Sequence, residues 1–225
     1  MEPTPTPTGV GASPEPKKGT AVCTIADKNA IELSGLALAK GFIYVANDGT
    51  ETAARERVFK LNGSTCALVG QPLAYPGQGP ADPEDLAIGP DGTIWIADIG
   101  DNDKKRPTVA LWKIVEDKID GPYRLAYPEG QKHDAEALLI GSDGLPIIVT
   151  KPLSGPGKIF IASAAPDKTS TSGVPLKAAG EVTLPKTQTE NPMTVAGRTM
   201  ITGAAMSPDK TRVVLRTYAD AFEWT

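Results

Sequence analysis

Four stretches of the chain repeat one pattern, and that repetition limits what it can fold into more than any other feature. LSGLALAKGFIYVANDG (33–49), EDLAIGPDGTIWIADIG (84–100), AEALLIGSDGLPIIVTK (135–151) and ITGAAMSPDKTRVVLRT (201–217) each run apolar segment, turn, apolar segment, polar loop. A period of about fifty residues marks a repeat architecture, in which each unit buries its faces against its neighbours. The turns Pro90-Asp91-Gly92, Ser142-Asp143-Gly144 and Pro208-Asp209-Lys210 supply preset backbone angles and a side-chain acceptor, so each pattern predicts a β-hairpin.

A third strand is expected from Arg57 (RVFKLNG), Val109 (VALWKIV) and Lys158 (KIFIASA), and a fourth in LVGQPLAYP, YRLAYP and EVTLP. Val, Ile, Trp, Tyr and Phe suit half-buried pleated strands, and no long segment of helical period interrupts them. Four-stranded units repeated radially make an all-β propeller; a β-sandwich of similar hairpins is the alternative, but it leaves the recurring inner-strand text unexplained. Counting from Cys23 gives three full units and part of a fourth, ending at Thr225. Residues 20–225 are therefore expected to form about three and a half blades, the N-terminal part of a longer ring, since a ring closes only with at least about four blades.

Composition narrows the function classes. The chain carries 23 basic against 27 acidic residues, a net charge of −4, and no stretch gathers Lys and Arg with aromatics, which excludes the usual nucleic-acid footprint. No run approaches the ~18 apolar residues of a membrane helix. Residues 1–19 have Pro at 3, 5, 7, 14 and 16 among Thr, Ser and Gly, a composition that favours extended chain and suits either a surface tether or a disordered terminus. Cys23 and Cys66 flank the first repeat; paired, they fit an oxidising, extracytoplasmic compartment, and unpaired they are two buried thiols.

The text E-D-L-A-I-G-P-D-G-T-I-W-I-A-D resembles the blades of gluconolactonase and NHL-type propellers. The ensemble E-L-S-G-L-A, D-I-G-D-N, H-D-A-E-A-L-L and V-V-L-R-T-Y-A-D-A-F-E-W resembles a group of exported actinobacterial propellers without a settled activity. The resemblance covers about residue 20 to 225. It implies that the start of each inner strand and the loop after each second strand share one face, around the mouth of a central channel. Ser34, Glu84 with Asp85, Glu136 and Thr202 would ring that mouth, with Asn47-Asp48, Asp98 to Asn102, Lys151 and Arg216 to Tyr218 just outside.

Oxygen-rich side chains in such a ring suit Ca²⁺, which takes six to eight oxygens. In gluconolactonase-like propellers an inner-strand Glu is a metal ligand, which nominates Glu84 and Glu136, joined here by Asp98 and Asp101. Ser34 and Thr202 depart from that pattern, and the acids equally suit hydrogen bonding to loop N–H groups. His133, beside Asp134 and Glu136, is a candidate general base with a raised pKa, or a simple hydrogen-bonding residue. Lys151, Arg216 and Tyr218 are candidates for ligand binding, the two cations also for ion pairs between blades. Trp95, Trp112 and Trp224 are read as inter-blade packing. The expected function is a surface-tethered binding module for a small molecule or protein, monomeric when its ring is complete; the alternative is a metal-dependent hydrolase of lactones or phosphate esters.

Overall fold

Each expected turn closes as its residues dictate. Asp91, Asp143 and Asp209 accept the backbone N–H two residues on, at 2.9, 3.0 and 3.2 Å, while Gly92 and Gly144 take the left-handed φ values of 81° and 79°. The structure is a computed structural model that describes residues 17–49 and 56–225; most of the 1–19 tether expected from the sequence lies outside them.

The first blade comprises β1 (Leu33–Ala39), β2 (Phe42–Asn47), β3 (Arg57–Asn62) and the short β4 (Leu73–Ala74). The second has β5 (Pro83–Ile88), β6 (Ile94–Asp98), β7 (Val109–Val115) and β8 (Lys118–Ala126); the third has β9 (Ala135–Ile140), β10 (Pro146–Thr150), β11 (Gly157–Ala162) and β12 (Val174–Val182). β13 (Ile201–Met206), β14 (Val213–Thr217) and β15 (Ala221–Trp224) form a three-stranded fourth. Within every blade consecutive strands pair antiparallel, and a short parallel pairing of Val174 with Leu125 links the outer strands of blades two and three. The chain is thus a β-propeller with an incomplete fourth blade. The outer strands differ from expectation in their bounds: β4 is only Leu73–Ala74 of LVGQPLAYP, β8 begins at Lys118 ahead of YRLAYP, and the outer strand of blade three begins at Val174, with EVTLP contributing only Glu181 and Val182, because the pairing of β11 with β12 runs from Ala162–Leu176 to Gly157–Val182.

Inner strands β1, β5, β9 and β13 lie beside one another around a common axis. Each meets its neighbour through an apolar layer. Ala37, Tyr44, Leu86, Ile96 and Trp112 pack between blades one and two. Leu125, Leu138, Ile148 and Phe160 pack between two and three, and Val149, Ile201 and Leu215 between three and four. A fourth layer of Ala30, Val45, Phe59 and Leu61, flanked by Ile25, lies behind blade one. There Cys23 and Cys66 form a disulfide that fastens the entering chain to this face. Trp95 and Trp112 make edge-to-face contacts with Tyr123 and Tyr75 within these layers, whereas Trp224 sits largely at the surface beside Phe222.

Candidate functional site at the channel mouth

The same irregularity recurs in all four inner strands. Pairing steps from Leu33 to Gly35, from Pro83 to Asp85, from Ala135 to Ala137 and from Ile201 to Gly203. One residue in each strand is therefore a β-bulge: Ser34, Glu84, Glu136 and Thr202. A bulge breaks the in-out alternation and re-aims its side chain, which is how these four residues come to circle one end of the channel.

Around this ring the acids divide into two sets. Asp48, from the loop after β2, meets Asp82 and Glu84 of blade two, with one carboxylate oxygen from each lying within 4.8 Å of the others. Glycines make room for them. A Cβ at Gly100 would collide with an Asp82 oxygen and come within 2.6 Å of Glu84 Oε1, and a Cβ at Gly49 would lie 2.7 Å from the other Asp82 oxygen. Burial first, and then the neighbouring carboxylates Glu136, Asp48 and Asp82, push the Glu84 pKa up to about 10, against the pull of Lys151. Burial and Asp48 likewise raise Asp82 to about 7, with Arg106 opposing. A cluster of oxygens that cannot comfortably hold its own negative charge, two of its members at least partly buried, has the donor chemistry of a hard divalent cation site.

The second set is an ion pair. Lys151 Nζ bonds the Glu136 carboxylate and lies 3.8 Å from Asp134 Oδ2, and both Glu136 and Lys151 are buried. Burial raises the Glu136 pKa despite the Lys151 hydrogen bond. Burial works against the Lys151 ammonium, but the Glu136 bond and the charges of Glu136 and Asp134 outweigh it, so Lys151 holds its proton more tightly than an ordinary lysine. The Tyr218 phenol is pushed up by burial, then by the charges of Glu136, Glu84 and Asp48 against Lys151.

The other nominated residues have different partners. Asp98 accepts from the backbone N–H of Ala81 and Asp82 and from Trp112 Nε1, and pairs with Arg106 at 2.8 Å. Asp101 accepts from Lys105 N and Arg106 N and shapes the loop between β6 and β7. The carboxylates of Asp98 and Asp101 are thus turned to donors, apart from the Asp48–Asp82–Glu84 cluster. The His133 ring packs on Tyr127 and Phe160 and bonds Gln131 at 3.0 Å; burial, then Lys158 and Lys104, lower its pKa, opposite to the rise expected beside two acids. The Arg216 guanidinium donates to the carbonyls of Ser34 and Thr202 at 3.0 and 2.6 Å, spanning blades four and one.

Asp82 gained a role that the sequence did not assign, and Asp85, expected on the mouth ring beside Glu84, takes a different one because backbone N–H groups claim its carboxylate. Asp82 stands two positions before its bulge, as Glu32 and Asp134 do before theirs, and that recurring acid was the signal available. Asp85, 3% exposed, lies just below the mouth and accepts from Leu86 N, Leu138 N and Ala204 N at 2.9, 2.9 and 3.0 Å. One carboxylate thereby ties three inner strands together.

No protein-family model matches the sequence, and no curated protein does. Among solved structures the chain is similar to hydrazine synthase of Kuenenia stuttgartiensis, with a TM-score of 0.44 and 12% identity over 88% of this chain and 45% of that one. It is similar to the gluconolactonase XC5397 of Xanthomonas campestris, with a TM-score of 0.44 and 12% identity over 85% and 70%. A third likeness is to the periplasmic gluconolactonase PpgL of Pseudomonas aeruginosa, with a TM-score of 0.45 and 14% identity over 81% and 49%. The chain spans less than half of the hydrazine synthase and PpgL chains.

Proposed function

We propose that this protein is a binding module whose channel mouth holds Ca²⁺ at Asp48, Asp82 and Glu84 and takes a small polar ligand beside it. The observation that carries this reading is the convergence of three carboxylates from two blades, with Glu84 driven far above the ordinary carboxylate range. A bound divalent cation supplies positive charge there and polarises a ligand oxygen. Lys151, held in place by Glu136, offers an ammonium to an anionic or hydroxyl-bearing group, and Tyr218 offers a half-exposed ring and hydroxyl. Arg216 supports the rim through two bulge carbonyls. The Cys23–Cys66 disulfide supports a place outside the cytoplasm, to which the Pro/Thr-rich 1–19 segment would tether the domain. No helix among the described residues is long and apolar enough to cross a membrane.

Thermal unfolding with excess CaCl₂ and then with chelator tests this. A ligand that binds only the folded state at 100 times its dissociation constant adds ~2.7 kcal/mol, which raises the midpoint by about 5–10 °C for a chain of this size. Coincident curves would return the three acids to a purely structural role.

A second reading, a metal-dependent hydrolase of lactones or phosphate esters, draws on the buried Lys151–Glu136 pair next to Glu84. In that reading Glu136 accepts a proton from an attacking water while Lys151 keeps the carboxylate oriented. Glu136→Gln then abolishes turnover of a lactone or phosphate-ester substrate; undiminished turnover in that variant removes the reading.

A further inference from the structure

The channel has a second chamber at the end opposite the mouth. Where the hairpin turns gather below Asp85, a cavity of about 570 Å³ is walled by the lower halves of all four inner strands, among them Leu36, Leu38, Leu86, Ile140 and Met206. No Asp or Glu lines it, and its two charged residues are Lys40 and Lys210. Neither has a carboxylate partner among the described residues.

Leu36 and Leu38, 56% and 62% exposed, lie on the face of blade one that no preceding blade among the described residues covers, whereas the equivalent Leu86 and Leu138 are packed against the blade before them. One feature separates this chamber from a packing gap. Lys210 occupies the turn position filled by Gly92 and Gly144 in blades two and three, with φ 61°. Its side chain crosses the chamber floor and donates to the carbonyls of Ile88 and Ile140 at 2.8 and 3.3 Å. A lysine accepts that backbone conformation only at some cost. With two of its three N–H bonds used, the ammonium is fixed at an apolar wall, and burial lowers its pKa because no anion faces it.

We infer that this chamber binds a straight-chain amphiphilic carboxylate, a medium-chain fatty acid, with its tail along Leu36, Leu38 and Met206 and its carboxylate on the ammonium groups of Lys210 and Lys40. The volume lies in the range of small-molecule sites. Apolar walls disfavour a sugar, whose hydroxyls would lose hydrogen bonds to water without replacement. The two lysines disfavour a cation and select a negative head group.

The test is calorimetric titration with octanoate, decanoate and dodecanoate below their micelle concentrations, alongside the alcohols of equal length. Affinity is expected to rise about fourfold per methylene until the chamber is full, with each alcohol at least fivefold weaker than its carboxylate. Ala205→Phe places a ring on an exposed wall position and is expected to keep the ligand-free melting curve and lose binding. Leu38→Asp is a second variant at an exposed site, expected to weaken dodecanoate at least tenfold. Absence of binding by every carboxylate overturns the inference, as does binding that neither variant affects. Equal affinity for acid and alcohol overturns the assignment of the lysines. Self-association in sedimentation that Leu38→Asp abolishes would give the chamber to a second copy of the chain and overturn it as well.

Discussion

The two ends of the channel are built from the same four strands and differ in nearly every physical respect. At the mouth, β-bulges turn Ser34, Glu84, Glu136 and Thr202 inward and buried acids crowd together; at the floor the alternation is unbroken and Leu, Ile, Ala and Met wall the space. Asp85 and the close approach of Gly35 to it, where an added Cβ would lie 2.6 Å from the Asp85 carbonyl carbon, divide the two. A single irregularity per strand is enough to separate a site suited to a cation from one suited to an apolar tail.

The comparison can be broken most severely through the wall that both ends share. Replacing Cys23 and Cys66 by Ser removes a cross-link over 43 residues, worth about 4 kcal/mol in the chain-entropy model. Urea unfolding is expected to show that loss. Because blade one lines both chambers, calcium response and carboxylate binding should weaken together; loss at one end alone would show that the ends are anchored independently. Next in size, Asp85→Ala deprives Leu138 N and Ala204 N of their acceptor and should cost about 3 kcal/mol by the same measurement. An unchanged denaturation midpoint would mean that water replaces the carboxylate.

The remaining predictions sharpen the contrast. A carboxyl whose folded pKa is raised stabilises the fold while protonated, and that contribution is lost as pH climbs from its unfolded value toward the folded one. Asp82 and Asp85 at about 7 and Glu84 at about 10 therefore predict a melting temperature in chelator that falls between pH 5 and pH 8. Calcium should remove the part due to the mouth and leave the part due to Asp85; curves with the same slope in calcium and chelator would contradict the cation site. Glu84→Gln is expected to erase most of the calcium-dependent shift in melting temperature without affecting carboxylate binding at the floor. The smallest effect belongs to Leu38→Ser, whose side chain is mostly exposed: stability within about 0.5 kcal/mol of the parent in urea unfolding, with the calcium response intact.

Much of this molecule was legible in its text. Hairpins followed from Asp91-Gly92 and Asp143-Gly144 and third strands from Arg57, Val109 and Lys158, whereas the ring around the mouth rested on the resemblance to gluconolactonase-type propellers and the bulges that form it were not foreseen. The site was legible only in outline. Asp98 has the same residue type and strand-end placement as the acids of the cluster, yet its carboxylate is taken by two backbone N–H groups, Trp112 and Arg106. Asp82, two residues upstream of Glu84, meets Asp48 from another blade instead. Sequence spacing carries no information about which buried donor claims which carboxylate.

The sequence by itself determined the repeat, the strand alternation and the turns, because these depend on residues within one hairpin and on forces that act over a few bonds. Tertiary structure alone decided which acids converge, that Lys210 reaches across to the carbonyls of Ile88 and Ile140, and that Asp85 serves three strands at once. Those outcomes join residues 70 to 122 positions apart for Lys210 and 53 to 119 for Asp85. They are fixed by the angle at which blades meet and by the requirement that each buried polar group find a partner, conditions that exist only once the blades are packed.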